Sequence, residues 1–289
     1  MITGWRRRCA WGGLALAALL PSCTGGAGPA AGCLGGWQMH TGAAGAPESD
    51  ELFGVSVASS QDVWAVGYRA AGGVYRSLVE HWDGRRWTVV RLPRLGGPGN
   101  GLNAVGATAS GAVWAVGGSA RARGPSQPLV LRLDGPSWST VPAPVSLHSA
   151  TLSGVTAWGR GAAWVVGAIR SSGGDRAFSL LTDGRNWRVV PIDVVAALSV
   201  DLNAIWAAGP DDAWAVGSSF DGLWYRPLVE HGAGGRWSRV PTPRIPGYDS
   251  RLMAVAGLPG RELWAVGSAS RGAGPQRVLI LHRCASLPS

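Results

Sequence analysis

Apolar positions along this chain do not follow a helical spacing. From about residue 50 onward they fall into short runs of Val, Ala, Leu and Trp, bounded by Gly, Pro, Asp and Asn. That pattern predicts strands and tight turns, with no convincing helix. The runs also recur. Trp64-Ala65-Val66-Gly67 returns as Trp114-Ala115-Val116-Gly117, Trp164-Val165-Val166-Gly167, Trp214-Ala215-Val216-Gly217 and Trp264-Ala265-Val266-Gly267, at a step of 50 residues. A fixed period of this size marks a repeat architecture, in which each unit buries its faces against its neighbours.

Aligned at that step, each repeat holds four segments. The first begins at Leu52, Leu102, Leu152, Leu202 and Leu252, and the second is the Trp-Ala-Val-Gly run. The third is Leu78-Val79-Glu80-His81 and its counterparts, ending with Val278-Leu279-Ile280-Leu281, and the fourth opens on Trp87, Trp138, Trp187 or Trp237. The second segment is apolar at successive positions, as a strand covered on both faces must be. Four strands per repeat, stacked face to face on copies of themselves, describe the blade of a propeller. Asp83-Gly84, Asp134-Gly135 and Asp183-Gly184 read as hairpin turns between the third and fourth strands, because Asp-Gly supplies the positive φ such turns need. The longer, variable connections fall between the second and third segments and between repeats, and in a propeller these share one face.

The fifth repeat stops before its fourth segment, while Gly35-Gly36-Trp37 stands 50 residues before Trp87 and resembles Gly234-Gly235-Arg236-Trp237. The expected fold is therefore all-β: a five-bladed β-propeller of four-stranded blades, closed by an N-terminal strand pairing with the C-terminal blade. Repeats lie near 50–100, 101–150, 151–200, 201–250 and 251–284 plus 33–45, within a domain of residues 33–289. In this register Cys33 falls at the Asp83 position and Cys284 at the Gly84 position. A Cys33–Cys284 disulfide would supply the missing covalent link, with a chain-entropy effect on the order of 5 kcal/mol.

Residues 1–23 read as an export signal: Arg6-Arg7-Arg8, an apolar stretch from Cys9 to Leu20, then Leu20-Pro21-Ser22-Cys23. The apolar stretch is too short for a stable membrane-spanning helix. Its end resembles a bacterial lipobox, although Pro21 departs from the pattern, and an ordinary cleaved signal is the alternative. The lipobox reading makes Cys23 the lipidated residue, residues 24–32 a Gly/Ala/Pro-rich tether, and the outer face of the cell membrane the location; the alternative is a soluble secreted protein. An exported chain is also where the two domain cysteines are expected to be oxidised. The formal charge of +9 falls to +6 without the three leader arginines, and all the basic residues are Arg. They are scattered, which argues against nucleic acid.

The runs Asp62-Val63-Trp64-Ala65-Val66-Gly67 and Leu78-Val79-Glu80-His81-Trp82-Asp83-Gly84-Arg85-Arg86-Trp87 resemble the repeat of kelch-like, galactose-oxidase-type β-propellers. The likeness implies a propeller over residues 33–284. Most repeats carry one Gly where kelch repeats carry two, and a copper oxidase would need Tyr, His and Cys ligands that are not grouped here.

Catalytic candidates are few. The first strands, taken from positions 53, 103, 153, 203 and 253, contain no carboxylate; Asp50, Glu51 and Asp201 flank them. A glycan hydrolase or lyase would need those three to converge. Glu80 and Glu230 share one repeat position, as do His81 and His231, which marks them as structural, and neither a metal nor another cofactor is expected. The favoured reading is a binding module for an extracellular or envelope protein, peptide or glycan. Its site would lie on the long-loop face, at Tyr75, Arg76, Arg121, Arg123, Phe220, Trp224, Tyr225, Tyr248 and Arg271, where variation concentrates while the strands repeat. Phe220 to Arg226 is the most aromatic of those loops. A structural envelope lipoprotein is the third reading, and a monomer is expected.

Overall fold

The computed structural model describes residues 49–284, apart from 98, 122–125, 145–146, 148, 193–196 and 260–261. All belong to one compact unit, Thr41–Ser289; the other unit, Met1–His40, lies outside the described residues. The export signal, tether, Cys23, Cys33, the strand expected around Trp37, Arg123 and the side chain of Cys284 therefore also lie outside them.

The described residues form five antiparallel sheets, each a meander in chain order. The first is β1 (Ser49–Ser59), β2 (Asp62–Ala71), β3 (Val74–Trp82) and β4 (Trp87–Val89). The second is β5 (Gly99–Ala107), β6 (Val113–Ala120), β7 (Gln127–Asp134) and β8 (Ser137–Thr140). The third is β9 (Ala150–Trp158), β10 (Ala162–Ile169), β11 (Arg176–Thr182) and β12 (Trp187–Val190). The fourth is β13 (Ser199–Gly209), β14 (Asp212–Phe220), β15 (Tyr225–Ala233) and β16 (Arg236–Arg239). The fifth has three described strands, β17 (Asp249–Leu258), β18 (Glu262–Ser270) and β19 (Arg277–Cys284).

Consecutive sheets pack face to face by one rule. The Trp and Val of the second strand press on the Leu and Val or Ile of the next sheet's first strand. Trp64 and Val66 meet Leu102 and Val105, Trp114 and Val116 meet Leu152 and Val155, Trp164 and Val166 meet Leu202 and Ile205, and Trp214 and Val216 meet Leu252. Each of the first three Trp residues also touches the fourth-strand Trp of the following sheet, edge to face. The pairs are Trp64–Trp138 at 5.6 Å, Trp114–Trp187 at 5.6 Å and Trp164–Trp237 at 5.3 Å between ring centroids. Such pairs contribute about 0.5–1.5 kcal/mol beyond the area they bury.

The Asp-Gly turns form as expected, with Gly84, Gly135 and Gly184 all at positive φ. Three expectations need correction. First, the inner strands start several residues earlier than the Leu-centred pattern indicated, so Asp50, Glu51 and Asp201 lie within β1 and β13 and not beside them, and Asp249 opens β17. The pattern broke because every inner strand carries a one-residue bulge, at Phe53, Asn103, Ser153, Asn203 and Met253, where the register shifts. A bulge flips the inward and outward alternation and so hides the continuation of the strand. Secondly, the second strand is longer than its Trp-Ala-Val-Gly segment and continues past the Gly. Gly67 pairs with both Leu52 and Leu78 in mid-sheet, and a Cβ there would overlap the carbonyl oxygen of Glu51, as at the other four copies. The glycine makes room for the bulged neighbour, and the strands run on past it, which shortens the connection after β2 to Gly72-Gly73. Thirdly, Leu279 and not Val278 stands opposite Gly267, and Cys284 pairs with Glu262, which puts Cys284 at the Asp83 position.

A candidate binding rim on the fourth and fifth sheets

Each sheet turns from first to second strand, and the four four-stranded sheets from third to fourth, at one edge of the stack. The other connections and the N-terminal ends of the inner strands lie at the opposite edge. All the candidate binding residues on described positions sit along this second rim, but in separate groups. Tyr75 and Arg76 belong to the first sheet. Tyr75 stands edge-on to Tyr68, which in turn touches Phe53, and Arg76 donates to the carbonyl oxygen of Gly97. Arg121 follows β6 and is exposed.

The remaining candidates cluster on the fourth and fifth sheets. Phe220 packs on Tyr225 at 4.9 Å, so part of the aromatic loop packs on itself. Trp224 is half-buried, and its backbone is fixed by an Asp221 turn in which the carboxylate accepts from the Leu223 and Trp224 amides. Those amides, with Arg226, hold the Asp221 carboxyl down to about 2. Arg251 lies flat on the Tyr225 ring, 3.5 Å from its centroid, a close cation–π contact. Arg277 stands over Tyr248. Arg271 is exposed in the turn before β19.

Between these groups lies a cavity of about 480 Å³, lined by Asp201, Asn203, Asp249, Arg251, Ser268 and Gln276 among others. The bulge of β13 swings Asn203 out so that its amide donates to the carbonyl oxygen of Leu252 in the next inner strand, at 2.8 Å; Asn103 does the same to Leu152. Asp249 accepts from the Tyr225 amide at 2.8 Å. The Asp201 carboxyl is pushed up by its burial and by Asp175, whose side chain lies within hydrogen-bonding reach, against the opposing pull of Arg251 and Arg170. Sequence reasoning missed Asp175, Asn203, Asp249, Arg251 and Gln276. A signal existed: Glu51, Gly101, Thr151, Asp201 and Arg251 occupy one repeat position with no two alike, beside a Leu that never varies.

The three carboxylates required to converge for catalysis share no partner. Asp50 is bound by Arg69 at 3.0 Å, Glu51 accepts from Tyr68 and so raises the tyrosine's pKa, and Asp201 sits with Asp175. The repeated histidines lie at the other edge. His81 stacks on Trp64 and meets Asp62 at 2.9 Å, and His231 stacks on Trp214 and meets Asp212 at 3.2 Å. His282 and Glu262 repeat the arrangement on Trp264. In the second and third sheets the acid's place is taken by Ala112 and Ala162 and the histidine's by Arg132 and Leu181, so the two change together.

Sequential antiparallel meanders stacked face to face define a β-propeller, and solved structures of that class resemble this chain. A Dyadobacter fermentans protein of unknown function matches with a TM-score of 0.55 at 15% identity, covering 80% of this chain and 78% of that one. A Hadza microbial sialidase matches with a TM-score of 0.54 at 12% identity, over 80% of this chain and 55% of its own length. YCF48 from Cyanidioschyzon merolae matches with a TM-score of 0.50 at 16% identity, over 78% and 67%. At these identities the likeness is one of fold. No family model and no curated protein sequence matches the chain.

Proposed function

We propose that the protein is a binding module that holds a glycan on this rim, with the cavity between the fourth and fifth sheets as its principal site. The carrying observation is the lining. Carboxylates (Asp201, Asp249), an amide (Asn203) and a guanidinium held against an aromatic ring (Arg251 on Tyr225) offer both donors and acceptors around 480 Å³. Hydroxyl-rich ligands need that mixture, and convergent polar groups in a formed cleft fix their orientation. A glycan array probed with the full chain is expected to show binders that Asp201→Asn and Arg251→Ala each weaken at least tenfold. Binding confined to a parallel peptide array would overturn the glycan reading.

The reading is non-catalytic. Glycosidases hold their two carboxyls about 5–10 Å apart; Asp175 lies directly against Asp201, and Asp249 is engaged by the Tyr225 amide. Incubation with array-positive glycans is expected to release no product.

The same reading closes the ring with the N-terminal strand around Trp37. Support comes from the cross-sheet tryptophan pairs, which leave Trp214 without a fourth-strand Trp partner among the described residues. Beside Trp214 lies an apolar slot of about 260 Å³ lined by Val229, Val240, Leu263, Ala265 and Leu281. Non-reducing mass spectrometry is expected to find Cys33 linked to Cys284; two free thiols would count against closure. The kelch-like repeat, export and anchoring through Cys23 complete the proposal, the last tested by fatty-acid labelling that Cys23→Ala should abolish.

A further inference from the structure

A second cavity, of about 540 Å³, opens on the same rim and faces the other way. Ser218 lines the first cavity and Ser219 the second; successive side chains leave a strand on opposite faces, so β14 separates the two. The second cavity is distinguished by its charge. Arg226 on β15, Arg239 on β16 and Arg244 in the connection that follows all border it, against a single carboxylate, Asp221.

Each arginine is placed differently. Arg226 binds Asp221 through Nε at 2.9 Å, which fixes the side chain. Two backbone amides of its own turn keep Asp221 ionised, so it offsets the Arg226 charge, and the excess positive charge comes from Arg239 and Arg244. Arg239 donates from Nη2 to the buried Ser219 hydroxyl at 2.9 Å. The nearby Glu230 is fully buried on the same sheet, and its carboxyl is raised to about 7 by burial, so near neutral pH it cancels only part of the Arg239 charge. Arg244 has no ion-pair or hydrogen-bond partner among the described residues. Pro227 and Pro241 form rigid walls, and Thr242 is pinned by donating to the Pro227 carbonyl oxygen at 3.0 Å. Three guanidinia, two of them anchored, thus border one preformed hollow with an excess of positive charge. Planar forks of this kind bind oxyanions by paired, charge-assisted hydrogen bonds.

We propose that this cavity is an oxyanion subsite, which takes the sulfate, phosphate or carboxylate group of an acidic saccharide held on the rim. The saccharide part rests on the glycan reading above; the oxyanion part does not. Within that reading, ligands carrying an acidic substituent are preferred over neutral ones of the same length.

The test is calorimetric titration of the full chain with a sulfated oligosaccharide, a uronate oligosaccharide, a neutral oligosaccharide of matched length, and inorganic sulfate and phosphate alone. Titrations are run at low and at physiological salt, with melting curves to confirm that each variant is folded. Expected is binding of at least one acidic saccharide at least tenfold tighter than the neutral one, weakening with salt and reduced tenfold or more by Arg244→Ala and by Arg226→Ala. Arg185→Ala, in the β11–β12 turn at the opposite edge, is expected to leave it unchanged. The identity of the tighter acidic ligand tells a sulfate source from a carboxylate source. If acidic and neutral saccharides bind alike and only Asp201→Asn weakens them, the oxyanion subsite is overturned and the glycan reading stands. If inorganic anions bind with the same arginine dependence but no saccharide does, the glycan reading fails, and with it the saccharide part of this proposal. Binding of none of the probes overturns both.

Discussion

Leu52 and Leu202 occupy the same repeat position, yet Leu202 is fully buried and Leu52 is 46% exposed. Trp114 and Trp264 repeat the contrast, at 1% and 44%. The residues are identical and the strand pairing around them is equivalent; the large difference is the neighbouring sheet. In this fold a sheet's own sequence builds the sheet, and the next sheet along buries it. Hydrophobic stabilisation therefore resides at the interfaces, as in other stacked-repeat proteins, where stability is a sum of unit and interface terms. The end faces keep the interface chemistry intact: Trp264, Val266 and Ile280 on the fifth sheet, Leu52, Val55 and Val57 on the first. These are the same residue types that the inner sheets bury, which is why closure is the reading proposed above.

The largest expected effects test that contrast directly. Trp114→Ala removes a buried indole and its edge-to-face contact with Trp187 and should cost about 3–5 kcal/mol in denaturant unfolding. In a closed ring Trp264→Ala should cost at least about 2 kcal/mol by the same measure; a loss below about 1 kcal/mol would show that the end faces stay apart. The repeated glycine sharpens the comparison because its constraint lies within one sheet. Gly67→Ala at the end of the stack and Gly167→Ala in its middle should each cost about 1–3 kcal/mol by overpacking, with no dependence on place in the stack. Gly209→Ala, with open space around it, should change the melting temperature little.

Glu80 and Glu230 offer a third comparison, one on the first sheet and one on the fourth, both buried. Glu80 has the Arg69 charge nearby, while Oε1 of Glu230 has no hydrogen-bond partner among the described residues. Burial raises the Glu230 carboxyl from its usual 4.5 to about 7. A raised folded-state value means that the protonated form favours the fold. The associated stability is fully present below pH 4.5 and lost as the pH rises through about 7. Glu230→Gln should therefore raise stability at pH 8, on the order of 2 kcal/mol, and leave it nearly unchanged at pH 4; an equal effect at both pH values would discount the titration. A modest effect is expected at the histidines. His81→Ala breaks one partly exposed ion pair and one stacking contact and should cost about 1 kcal/mol in thermal melting.

Much of this was legible in the chain. The 50-residue step, the four strands per unit, the Asp-Gly turns and the structural role of Glu80 and His81 follow from residue types whose preferences act locally. The same holds for the Trp-Ala-Val-Gly run, whose packing on the next sheet needs only its own periodicity. The candidate rim was legible as a face and not as a site. Tyr225 and Tyr248 fell close to the cavities, while Tyr75, Arg76 and Arg121 fell on other sheets. Asp249 and Arg244 were invisible because nothing in their local sequence separates them from solvated surface residues, and Arg251 stood out only as one member of a repeat position at which no two residues agree.

The sequence by itself determined which segments become strands, the step at which they repeat and which side chains form the faces between sheets, since propensity, alternation and period are properties of a single segment. Only the tertiary structure decided where the chemistry gathers. The bulges shift the register of every inner strand and turn Asn203 toward the next sheet. Arg251 finds the ring of Tyr225 on a different sheet, and three arginines from β15, β16 and the connection after them come to border one hollow. Those placements depend on register and on contacts between segments far apart in the chain, and no local pattern encodes them.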